Sequence, residues 1–85
     1  MQNFTYTITD PSGIHARPAG ILVKAVAKFN SKISLEKAGK TADAKKIFSV
    51  MGLAVKTGEK VEVSIEGEDE EAACAELKKF FEENL

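Results

Sequence analysis

His15 is the only histidine in the 85-residue chain, and it stands beside a guanidinium in the order His15-Ala16-Arg17. Upstream, Asp10-Pro11-Ser12-Gly13-Ile14 is a turn-forming stretch of residues that interrupt helices. Downstream, Arg17-Pro18-Ala19-Gly20-Ile21-Leu22-Val23 opens a helical pattern. Proline is tolerated in the first turn of a helix because its missing N–H would have no intrahelical partner there. The imidazole is therefore expected at a helix N-terminus. Unpaired backbone N–H groups and the positive end of the helix dipole favour an anion at such a place.

A lone histidine in a loop is more often an ordinary solvated residue than a reactive one, with its arginine neighbour merely hydrated. Three features argue otherwise here. Histidine is a mediocre N-cap compared with serine, threonine, aspartate or asparagine. A helix N-terminus and an adjacent arginine both disfavour imidazolium, so folding would hold the ring neutral. A neutral ring keeps the nitrogen lone pair that attack on phosphorus requires. The same place suits the product: a phosphoryl group on His15 could accept hydrogen bonds from the N–H groups of Ala16 and Arg17 and pair with the Arg17 side chain. Bonds to charged groups contribute roughly 1.5–3 kcal/mol each, and the dipole adds about 0.3–1 kcal/mol. The residues thus point to a histidine that accepts phosphate.

The elements that must position this ring can be read from periodicity. Residues 2–9 alternate, with Phe4, Tyr6 and Ile8 on one face of a strand and Thr5, Thr7 and Thr9 on the other. Residues 16–28 form a helix whose inward stripe is Ala19, Leu22, Val23, Val26 and Phe29, with Arg17, Ile21, Lys24 and Lys28 opposite. A strand follows over 32–37, then a turn at Ala38-Gly39 and a short edge strand near 40–43. A short helix is predicted over about 45–54. Its apolar residues cover nearly the whole circumference, so Val50 and Leu53 are assigned to the core while Ile47, Phe48 and Met51 stay partly exposed. Val61, Val63 and Ile65 mark another strand after the Thr57-Gly58 turn. The last helix starts in the acidic run Glu68-Asp69-Glu70-Glu71, where the dipole favours negative charge. Ala73, Cys74, Leu77, Phe80 and Phe81 form its apolar face, which makes Cys74 a core residue and not a nucleophile. The order β-α-β-β-α-β-α predicts an α+β open-faced sandwich: a four-stranded antiparallel sheet with three helices on one face.

Composition narrows the function classes. The length fits a single domain, residues 1–85, just above the size at which one core suffices without staples. One cysteine excludes an internal disulfide and, with no signal peptide or membrane-spanning run, leads to the expectation of a cytoplasmic protein. One histidine and one cysteine leave no zinc constellation, and no metal or other cofactor is expected. The net charge of −1 hides an asymmetry. Residues 1–60 hold ten Lys/Arg against four Asp/Glu, and residues 61–85 hold two against nine. A basic face around His15 would steer acidic partners toward it. The same basic segment would also suit a nucleic-acid binder, but the overall pI of about 5.8 and the absence of interleaved aromatic and basic residues oppose it.

Gly13-Ile14-His15-Ala16-Arg17-Pro18-Ala19 resembles the active-site signature of HPr, the histidine-containing phosphocarrier family of the bacterial sugar phosphotransferase system. The resemblance extends over essentially the whole chain. It implies that enzyme I, charged by phosphoenolpyruvate, passes a phosphoryl group to Nδ1 of His15, and that the carrier hands it to the IIA domains of sugar permeases. It further implies that Arg17 stabilises the phosphoryl group and that Ser12 and Ala16 lie at the phosphate site. A docking surface shared by donor and acceptors would comprise Gly20, Ile21, Lys24, Ile47, Phe48, Ser49 and Met51. A monomeric carrier is expected, not an enzyme, with no membrane insertion. A regulatory relative that signals by its phosphorylation state without feeding transport is the alternative. The chain departs from the family pattern at Lys46, where many relatives carry a serine that a dedicated kinase modifies. Serine phosphorylation at that position is accordingly not expected.

Overall fold

Alternating burial builds the sheet. β1 (Gln2–Thr7) turns Gln2, Phe4 and Tyr6 toward the protein and leaves Asn3, Thr5 and Thr7 in solvent. β2 (Lys32–Lys37), β3 (Lys40–Asp43) and β4 (Lys60–Glu66) bury Ile33 and Leu35, Ala42, and Val61, Val63 and Ile65 respectively. Strand order is β1-β4-β2-β3, antiparallel throughout. Phe4 stands opposite Val63, and Val63 opposite Leu35, so one apolar row crosses three strands. The computed structural model describes every residue except Ser12 and His15, and of Ala16 it describes the backbone.

Three helices cover the apolar face. α1 (Ala16–Ala27) inserts Ala19, Leu22 and Val26, all fully buried. α2 (Ile47–Gly52) inserts Val50, and α3 (Glu70–Asn84) inserts Ala73, Cys74, Leu77 and Phe81. α1 packs against both other helices, α2 lies against β3, and α3 lies against β1 and β4. Phe81 meets Phe4 and Tyr6 edge-on, with ring centroids 5.8 and 5.5 Å away. Such pairs add about 0.5–1.5 kcal/mol each beyond area burial.

The predicted fold class is the observed one, and the differences lie at element ends. The first strand stops at Thr7 instead of continuing to residue 9, because Ile8 exchanges its bonds with a turn: its N–H donates to Glu59 O at 3.0 Å and its carbonyl accepts from Gly58 at 2.8 Å. The first helix ends one residue earlier than 28. Val23 and Phe29, assigned to its inward stripe, are only partly buried. The second helix is six residues long, not ten. Its expected first turn is held outside the helix by the Asp43 carboxylate, which accepts from Lys45 N–H at 2.9 Å, and by Ala44 N–H, which donates to Ile33 O at 3.0 Å. Its far end is capped by Leu53, and Ala54 beyond it, at φ +52°, leaves the helical region.

Asp69 fastens the start of α3 to the end of α1. Its carboxylate accepts from Asn30 N–H at 2.8 Å, from Ser31 N–H at 2.9 Å and from the fully buried Ser31 hydroxyl. The Ser31 hydroxyl, then the Asn30 amide, hold the Asp69 carboxyl below its ordinary value. A depressed folded-state pKa contributes stability that is complete above the ordinary value of 3.8 and is lost as pH falls through the lowered one. Asp69→Asn is therefore expected to lower the thermal midpoint by several degrees at neutral pH and to flatten the stability loss below about pH 4. Thermal melts across pH 2–7 check this; an unchanged acid limb would show that Asp69 is not the group being titrated.

Candidate active site

Ahead of α1, Gly13 and Ile14 are held by backbone contacts that form a platform. Gly13 N–H donates to Asp10 O at 2.9 Å, and Ile14 N–H donates to Val55 O at 3.0 Å. The Ile14 side chain is buried in the core. Gly13 adopts φ +67°, and a Cβ built there would lie 2.3 Å from Val55 O and 2.8 Å from Lys56 Cα. Two further clamps hold the chain just ahead of it. Thr9 and Asp10 N–H both donate to the Leu85 oxygen, at 2.6 and 2.9 Å, and the Thr57 hydroxyl donates to Asp10 O at 2.5 Å.

The opposing segment is itself pinned. Glu59 accepts from Lys56 N–H at 2.7 Å and from the Lys37 ammonium at 3.0 Å, and these two contacts, the amide first, hold its carboxyl below the ordinary value. Lys37 also donates to Ala54 O at 2.9 Å. The segment 53–59 is thereby fixed against the sheet, and Gly13-Ile14 is fixed against the segment.

From this platform the chain enters α1 at Ala16. The first-turn amides of a helix have no partner within it. Arg17 is exposed at this end, and Pro18 behind it is buried. His15 and Ser12 lie outside the described residues, as does the Ala16 side chain.

The residues assigned to docking come from two helices side by side. Gly20 on α1 faces Ile47 on α2: a Cβ at Gly20 would stand 3.7 Å from Ile47 Cδ1, so the small residue lets the helices approach. Ile21 (43% exposed), Phe48 (84%) and Met51 (37%) are large apolar side chains open to solvent. Lys24 is exposed, while Ile47, Ser49 and Gly20 are partly covered. Phe48 is the outlier, since a phenylalanine so exposed adds nothing to the core.

Sequence reasoning missed the supports behind the site. The Gly13–Val55 contact, the Thr57 and Leu85 clamps and the Asp69–Ser31 lock all join segments distant in the chain. Only Gly13, a glycine closing a Pro-Ser turn, gave a local signal. Among the described residues no group of three or more His, Cys, Asp or Glu could hold a metal ion, and no helix is long and apolar enough to cross a membrane.

Residues 2–83 match a family model described as the PTS HPr component phosphorylation site. The phosphocarrier protein HPr of Lysinibacillus sphaericus is 44% identical over 77 residues, covering 91% of this chain and 88% of the relative. Among solved structures, HPr of Thermoanaerobacter tengcongensis superposes with a TM-score of 0.92 at 41% identity, covering 96% of this chain and 92% of that one. The catabolite repression HPr of Bacillus subtilis, Crh, solved as a swapped dimer, gives a TM-score of 0.78 at 40% identity, with 88% and 86% covered.

Proposed function

The chain belongs to the HPr family of phosphocarrier proteins, and from that membership we propose that it accepts a phosphoryl group on His15 from phosphorylated enzyme I and delivers it to the IIA domains of sugar permeases. The observation that carries this reading is the family match over residues 2–83, which spans Gly13-Ile14-His15-Ala16-Arg17.

In the proposed step, an unprotonated imidazole nitrogen of His15 (Nδ1, by family resemblance) attacks phosphorus. The new N–P bond forms as the donor's own bond to phosphorus breaks, and the donor keeps that electron pair. Three groups of this chain would act on the product. The amides of Ala16 and Arg17 at the first turn of α1 would donate to its oxygens, and the Arg17 guanidinium would balance its charge. Ser12 lies close enough in sequence to supply a hydroxyl. Onward transfer is the same step reversed on another histidine. The carrier supplies orientation and charge stabilisation, and its partners supply the rest. A single copy of the chain carries all these groups, and a monomer is proposed as the acting species.

One surface must serve donor and acceptors, because a single histidine cannot face two partners at once. Gly20, Ile21, Lys24, Ile47, Phe48, Ser49 and Met51 are proposed to form it. Phe48→Ala is expected to leave the thermal midpoint within about 4 °C of the parent, since exposed positions change stability by no more than about 0.5 kcal/mol. It should raise KM for enzyme I by roughly tenfold or more with kcat little changed, as loss of an aromatic anchor of about 1–2 kcal/mol would. Unaltered transfer kinetics would remove Phe48 from the docking surface.

The similarity to Crh supports a second reading, in which phosphorylation signals to a partner and does not feed transport. Reconstitution with enzyme I and phosphoenolpyruvate, followed by addition of a IIA domain, separates the two. Phosphate that reaches the IIA domain supports the carrier; phosphate that remains on His15 supports the signal.

A further inference from the structure

Lys46 stands where helix chemistry argues against it. It is the N-cap of α2, with extended backbone (φ −119°, ψ 114°), and it makes no side-chain capping bond. Serine, threonine, aspartate or asparagine would satisfy a free amide there, whereas lysine places positive charge at the positive end of the dipole. A six-residue helix has little stability to forgo. The side chain is exposed, and among the described residues it forms no ion pair or hydrogen bond that would offset the loss. A residue that breaks a local rule without a compensating contact inside the fold is expected to be kept for something outside it.

Its surroundings say what that is. α1 and α2 together contain no Asp or Glu. Arg17, Lys24 and Lys46 are all exposed, and none forms an ion pair among the described residues. With Ile21, Phe48 and Met51 open on the same two helices, apolar residues are accompanied by unneutralised cations. The opposite charge is concentrated on α3, whose exposed residues include Glu71, Glu76, Glu82 and Glu83. An acidic partner is thus attracted to one side of the molecule and repelled from another, which orients the encounter before contact.

We propose that Lys46 is a steering contact on this face, meeting carboxylates on the docking surface of the phosphodonor. The proposal rests on the phosphocarrier reading and assigns Lys46 a role in docking, not in the chemistry at His15. The test measures both association of unphosphorylated enzyme I and steady-state phosphoryl transfer from phosphoenolpyruvate, as a function of salt. Lys46→Gln is expected to raise Kd and KM about two- to fivefold at low ionic strength, with kcat unchanged. Lys46→Glu should raise them further. Both differences should vanish near 1 M salt, where the Debye length is about 3 Å. Lys79→Gln, which removes the same charge from α3, should change neither constant. Equal behaviour of Lys46→Gln and the parent, or an equal effect at Lys79, would overturn the assignment. A parent that docks but never accepts phosphate would instead overturn the carrier reading and leave the docking role standing.

Discussion

His15→Ala is expected to reduce phosphoryl acceptance to background while the protein remains folded. The chain holds no second histidine to substitute for it. Cys74 is unsuited as a substitute, being buried in the core under α3. A serine would form a phosphate ester too stable to pass on. The measurement is mass spectrometry after incubation with enzyme I and phosphoenolpyruvate. The parent should gain one acid-labile phosphate, and the variant none. The core residues contributed by α1, α2, α3 and all four strands are unchanged by the substitution, so the thermal transition should stay cooperative. Acid-labile phosphate on the variant would mean that another residue is the acceptor. Arg17→Ala should be milder, because it removes charge balance from the product and leaves the nucleophile in place.

How much of this was legible beforehand depended on the kind of interaction. Period-two alternation in Val61, Val63 and Ile65 and the helical stripe of Ala19, Leu22 and Val26 are local signals, and each became the buried face of its element. The assignment of Val50 and Leu53 to the core, with Phe48 left outside, also followed from geometry, since a short helix cannot bury its whole circumference. Termini were harder. Lys45 and Lys46 have good intrinsic helix propensity, yet Asp43 and the carbonyl of Ile33 take the backbone amides of this stretch into a turn. No window around residue 45 reveals that, because Ile33 is twelve residues away. The Asp69 lock was hidden for the same reason. In sequence Asp69 reads as one more acid in a favourable helix start, and its partners Asn30 and Ser31 are 39 and 38 residues distant. The candidate site divides likewise. His15, Arg17 and the proline-marked helix start were readable as types in order. The contacts that hold Gly13 and Ile14 just ahead of them were not, being made with the segment 53–59 and Leu85.

That platform gives the largest expected stability effect, at Gly13. Gly13→Ala should destabilise the protein by about 2–5 kcal/mol. Two penalties act together. At φ +67° an alanine occupies the left-handed region, which costs roughly 1–2 kcal/mol. Its Cβ would also meet the Val55 oxygen at 2.3 Å and the Lys56 α-carbon at 2.8 Å. Both atoms are backbone, so no side-chain rotation relieves the overlap, and overpacking of this kind costs typically 1–3 kcal/mol. For a domain of this size each kcal/mol moves the midpoint by about 4–8 °C, which puts the expected fall at roughly 8–40 °C. The strain also has a functional direction. The loop can escape only by moving away from residues 53–59, which breaks the Ile14–Val55 hydrogen bond and lifts the Ile14 side chain from its buried place. Ile14 is the residue joined directly to His15, so phosphoryl acceptance should fall in kcat even at temperatures where the variant is fully folded. Gly39→Ala is the control. Gly39 has φ +85°, but nothing lies within 4 Å of an added Cβ, so it carries the conformational penalty without the overlap. A Gly13→Ala variant no less stable than Gly39→Ala, with parental kcat, would show that the close approach to Val55 does not position the acceptor.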